Sequence, residues 1–260
     1  GIMAASVNIR TLDLRGKELS NRFVNEALPR ASVDINAAIE QIQPLLTDVR
    51  LHGVDALVKV TLERDGVDPT PIRVSEEELK RTLAELNPEL RKSIEESIER
   101  VFRVSRENLP QPSSVTLGNG AVVRQRWQPV DSVGLYVPGG KAVYPSSVIM
   151  NVVPAQVAGV PRLAVASPAQ KDFNGRPHPT VLATAALLGV EDVYCMGGPA
   201  AIAAFAHGLP QINFEPVALV TGPGNIYVAA AKRYLRGTIG IDSEAGTTEI
   251  LIVADSTANA

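Results

Sequence analysis

Cysteine is nearly missing from this chain: Cys195 is the single one in 260 residues. That excludes an internal disulfide and fits a reducing compartment such as the cytosol. Long apolar runs are missing too. None reaches the ~20 residues that a membrane-spanning helix needs, and no basic segment followed by an apolar stretch marks a secretory signal. An excess of one charge is also lacking, because 25 Lys and Arg stand against 28 Asp and Glu, mixed along the chain. No basic footprint for nucleic acid results. Histidine is scarce at three; His52, His178 and His207 lie far apart and show no metal-ligand spacing. These exclusions predict a cytoplasmic protein with neither a nucleic-acid partner nor a membrane partner.

What is present divides along the chain. Residues 1–33, with Gly16 and Pro29 as punctuation, read as an arm or small helical element. From Asp34 the apolar residues Ile35, Ala38, Ile39, Ile42, Leu45, Leu46 and Val49 recur at spacings of three and four, the period of an amphipathic helix. Gly53 interrupts that run and Asp65-Gly66 ends its continuation. Ser75 with Glu78 forms a capping-box pattern at the start of the next helix. Asn87-Pro88 opens a further one, since proline at the first helical position gives up no needed hydrogen bond.

After Pro110 the period changes to alternation, and Val122 to Trp127 reads as a strand. A βα series then begins. Strands are expected at 133–137, 162–167, 193–196, 217–221, 238–241 and 249–254, with helices at 145–158, 178–188, 200–206 and 225–235. Short β-rich runs alternating with helices of this kind predict an α/β fold with a doubly wound parallel sheet.

Two glycine-rich turns follow predicted strands: Tyr136-Val137-Pro138-Gly139-Gly140-Lys141 and Thr221-Gly222-Pro223-Gly224-Asn225. In an open α/β sheet, ligands bind beyond the carboxyl ends of the strands. Glycine lets backbone come close to them, and the next helix offers free N–H groups to an anion. Neither turn is a G-x-G-x-x-G or Walker A sequence, so each fits equally well a tight turn with no ligand. Lys232 and Arg233 read as surface charges on a last helix turn. Asp242, Glu244 and Glu249 make a weak carboxylate set, Trp127 reads as a core residue at a domain boundary, and buried Cys195 reads as a small apolar filler. His207 ends a helix, where a cation suits the dipole.

Longer blocks say more. Val133 to Gly140, Tyr144 to Met150 and Pro154 to Val160 come first. Gly222 to Val228, Ala231 to Arg233, Gly240 to Asp242 and Ala245 to Glu249 follow. In order and spacing, this set is similar to the signature of histidinol dehydrogenases, over about Asp34 to Ala260. The resemblance implies Rossmann-like, aldehyde-dehydrogenase-like α/β domains behind a helical N-terminal segment. Residues 34–132 plus 248–260 would form a first, incomplete domain, and 133–247 the NAD-associated one. It implies a zinc-dependent homodimer that oxidises L-histidinol to L-histidine with two NAD.

In this resemblance Tyr136 and Asn225 match NAD-contacting residues, and Thr248 matches a substrate-contacting serine. Ala200 stands where the family has an NAD-contacting glutamine, and a methyl cannot make an amide's hydrogen bonds. The zinc ligands and catalytic base would lie beyond Ala260, leaving this chain a fragment with no catalytic residue of its own. Two alternatives remain: a non-catalytic truncated paralogue serving as a nucleotide-binding or assembly module, and another aldehyde-dehydrogenase-like oxidoreductase. The missing catalytic cysteine loop disfavours the latter.

Overall fold

A computed structural model describes residues 10–28, 34–245 and 250–259. It divides into two compact units, 1–33 and 34–260. In the first, helix α1 (Asn21–Ala27) is capped by the Ser20 hydroxyl, which accepts from Phe23 N–H, and it buries no residue.

The second unit is built on a five-stranded parallel sheet of β3 (Ser132–Tyr136), β4 (Arg162–Ser167), β5 (Val193–Cys195), β6 (Leu219–Thr221) and β7 (Gly240–Ile241). Their order is β5-β4-β3-β6-β7, so the chain winds outward from β3 in one direction and then returns to the other side. The doubly wound expectation holds. The topological switch point falls between β3 and β6, where ligands collect in such sheets.

Side-chain alternation splits the core along the sheet. From β3 and β4, Val133, Leu135 and Val165 pack on α6 (Pro145–Val157) and α7 (Pro179–Leu187), with α4 (Glu76–Glu85) and α5 (Pro88–Glu107) outside them. Tyr136, Ala164 and Ala166 face α8 (Gly198–His207) and α9 (Ile226–Leu235), with α2 (Ile35–His52) beyond; α3 (Val54–Asp65) packs beside α2. Gly134 sets the depth of this second layer. A Cβ there would lie 2.6 Å from the Phe205 ring, so only glycine lets α8 settle this close to β3.

The edge of β5 is covered by a segment with no strand signal in the sequence. Val74 N–H donates to Val193 O and Cys195 N–H to Ile72 O, at 2.8 and 2.6 Å. Arg176 anchors it: its guanidinium grips both Glu78 carboxylate oxygens at 2.9 Å and donates to the Pro69 and Pro71 carbonyls. This changes the capping box. Ser75 Oγ does accept from Glu78 N–H, but the Glu78 carboxylate goes to Arg176, because a mostly buried guanidinium is a stronger partner than a backbone N–H.

The strand expected from Val122 to Trp127 forms over β2 (Val122–Gln125), paired among the described residues with β1 (Ser113–Thr116) in an antiparallel hairpin exposed on both faces. Two further expectations, a core place for Trp127 and a strand at 249–254, fail. Trp127 is 58% exposed. Of the expected strand 249–254, residues 250–254 carry no strand, and Ile250 to Val253 are at least 82% exposed. Apolar β-rich sequence becomes a strand only beside a partner ladder, and the described residues offer it none.

Candidate functional site at the switch point

Both glycine turns meet where the topology predicts. The carboxyl ends of β3 and β6 lie side by side, and beyond them opens a cavity of about 720 Å³. That volume suits a cofactor-sized ligand. Tyr136, Ala200 and Asn225, three residues far apart in sequence, line it together. Thr248 lies outside the described residues.

Tyr136 is 4% exposed, and its phenolic oxygen accepts from Gly198 N–H at 3.0 Å. The hydroxyl therefore props the start of α8, and the nearly buried side chain forms part of the cavity wall. Burial pushes the phenol's pKa up, the Gly198 bond opposes this, and the negative charge of Asp65 adds to the rise. Asn225 caps α9: its Oδ1 accepts from Tyr227 and Val228 N–H at 3.0 and 3.1 Å. Its Nδ2 keeps two donors with no partner among the described residues. Ala200 sits buried in the first turn of α8, which has no side-chain cap. Gly198 N–H is taken by the Tyr136 hydroxyl and Pro199 has none to give, so this helix start offers a ligand one backbone donor, the Ala200 N–H, beside its positive dipole end.

Other features fit a polar ligand. Gln170 Nε2 donates to Gly140 O, while its buried Oε1 has no partner and the residue lines the cavity. Gly139 and Gly197 both press on Pro168, and a Cβ on either would come within 2.5 Å of that ring. Arg64, Lys141 and Lys171 contribute cations and Asp65 and Asp172 contribute anions.

The sequence reading missed the scaffold beneath these residues. Asn151, on α6, donates to Tyr136 O at 3.0 Å and accepts from the Thr221 hydroxyl at 2.6 Å, bridging β3 to β6. Lys232 is not a surface charge. It is 1% exposed and pairs with Asp242 at 2.7 Å. Its neighbour Arg233 does lie at the surface, paired with Glu244.

The histidines stay apart. His52 pairs with Asp48, and His178 caps α7 by accepting from Thr180 N–H at 3.1 Å. Burial, helped by nearby Arg50, pushes the pKa of His207 down, which works against a cation at its helix end. Cys195 is fully buried, its thiol pushed up to about 12 by burial; a filler role fits. Among the described residues, no group of three His, Cys, Asp or Glu could hold a metal ion.

The comparisons with known proteins agree with one another. The family model described as histidinol dehydrogenase matches residues 28–260. Histidinol dehydrogenase of Thermobifida fusca is 54% identical over 96% of this chain and 56% of its own length. That of Nocardia farcinica is 49% identical over 99% of this chain and 58% of its own. The crystal structure of histidinol dehydrogenase from Elizabethkingia anophelis superposes with a TM-score of 0.80 at 29% identity, covering 89% of this chain and 52% of that one. The chain thus spans little more than half the length of the relatives it matches, and across that span it belongs to the histidinol dehydrogenase family.

Proposed function

We propose that this chain forms the cofactor-binding part of an enzyme that oxidises L-histidinol to L-histidine through histidinal, with NAD as acceptor. The observation carrying this reading is the single cavity at the switch point that gathers Tyr136, Ala200 and Asn225. NAD, when bound, supplies a hydride acceptor, used once for the alcohol and once for the aldehyde.

The chain's own residues hold and orient. The positive end of α8, with the Ala200 N–H, and the cations Arg64, Lys141 and Lys171 suit a diphosphate. Gln170 Oε1 is an acceptor awaiting a donor, and Asn225 Nδ2 is a donor awaiting an acceptor. Helices α2 and α3 contribute Leu45, Val60 and Thr61 to the cavity wall. In this reading Thr248 contacts substrate. Residues 133–247 carry the NAD-associated domain, and 34–132 with 248–260 the first domain. The assembly is a cytoplasmic homodimer. Zinc does not fit the donor set of the described residues, and no step here is routed through it.

Titrating the chain with NADH and following the cofactor's fluorescence tests the proposal. Saturable binding that Asn225→Ala weakens at least tenfold is the expected result. Binding equal in both proteins would overturn the assignment of the cavity.

A further inference from the structure

Among the described residues Lys232 is the one charged side chain buried, and nothing in the cofactor reading uses it. It lies on α9, two turns beyond Asn225. Its Nζ donates to Gly222 O, to Asp242 Oδ1 at 2.7 Å and to Ser243 O at 3.3 Å. The other carboxylate oxygen of Asp242 accepts from Gly222 N–H at 3.0 Å. One ion pair thus takes both backbone polar groups of a single glycine, and ties the β6–α9 turn to the end of β7.

An ion pair withdrawn from water adds little net stability, and apolar residues of similar size often do as well. Its geometric consequence is larger. Gly222 has φ +118°, and its Cα faces the Tyr136 carbonyl so closely that a Cβ would overlap it. Held on one side by Lys232 and Asp242 and on the other by β3, the turn has one position. Asn225 follows three residues later, at the cavity.

We infer that Lys232 and Asp242 are positioning residues, which fix the Gly222–Asn225 turn so that the Asn225 amide is preorganised for the cofactor. This rests on the NAD reading above. Such a latch acts through Asn225 and touches no ligand itself. Removing it should matter only while Asn225 is there to be positioned, a non-additivity that a merely structural residue does not show.

The test is NAD titration calorimetry on the full 260-residue chain, its Lys232→Met and Asn225→Ala variants, and the double variant. Ile94→Ala serves as control: Ile94 is buried in the opposite layer, against α6, so the variant is destabilised without a change at the cavity. Lys232→Met should weaken NAD about tenfold, Ile94→Ala should not, and the double variant should bind as Asn225→Ala does. Amide exchange at Tyr227 and Val228, the N–H groups capped by Asn225, should also quicken in Lys232→Met before any NAD is added. Additive losses, or equal weakening by Ile94→Ala, would overturn the inference while leaving the cofactor reading intact. Failure of the unmodified chain to bind NAD would overturn both.

Discussion

Gly222→Ala perturbs the switch point more sharply than any other single methyl. The added Cβ would lie 2.7 Å from Asn151 Nδ2 and well inside van der Waals contact distance of Tyr136 O. At φ +118° an L-residue also pays about 1–3 kcal/mol for a sparsely populated backbone conformation. Relief requires the turn to move off β3, which breaks the Asn151–Tyr136 and Thr221–Asn151 bonds at about 1 kcal/mol each. The total is roughly 3–5 kcal/mol, or a fall in Tm of about 6–20 °C for a chain of this size. Differential scanning calorimetry reads it directly. A Gly222→Ala protein melting within 2 °C of the parent would show that the turn is not pinned against Tyr136, and the positioning argument for Asn225 would go with it.

Further expectations are independent of that one. Ala200→Gln supplies the amide that the family resemblance assigns to this position, and should tighten NAD by about tenfold, the worth of one good hydrogen bond; unchanged or weaker binding counts against that assignment. Burial lowers the pKa of His178, whose Nδ1 accepts from Thr180 N–H. A histidine whose pKa is depressed on folding contributes stability that is complete above its ordinary value of about 6.5 and is lost as pH falls below it. Tm should therefore drop between pH 7 and pH 5. His178→Asn keeps the cap without the titration, so its acid slope should be shallower, and equal slopes would refute the link. The Cys195 thiol, fully buried and shifted to about 12, should resist a disulfide exchange reagent at pH 8 until denaturant is added. Rapid labelling of the native chain would contradict its placement.

Much of the sheet was legible because β3 to β6 and their helices change period cleanly. The strand at Arg162 to Ser167 matches to the residue, and the others shift by one or two positions. Legibility failed where a fate depends on a partner distant in sequence. Lys232 looks like any basic residue in a last helical turn, and only the return of β7 delivers Asp242 to it. Glu78 completes a capping pattern on paper, yet Arg176, ninety-eight residues away, takes its carboxylate. Of the exposed β1–β2 hairpin, alternation marked β2, whereas β1 buries nothing and left no pattern to find. The apolar run Ile250 to Val253 shows the converse, since a strong local preference yields no strand without an adjacent ladder. At the site, the residue types Tyr136 and Asn225 came from family resemblance. Their meeting in one cavity follows from the strand order, because β3 and β6 flank the switch point.

A crystal structure of this chain soaked with NAD tests the central claim most directly. The account predicts density in the cavity beyond β3 and β6, with a polar atom of the cofactor within hydrogen-bonding distance of Asn225 Nδ2 and its diphosphate near the start of α8. Two glycine turns and two helix starts compete for that ligand. Density instead at the start of α6, beside Ser146 and Ser147 in the neighbouring cavity of about 400 Å³, would contradict the account, leaving Tyr136 and Asn225 as scaffold alone.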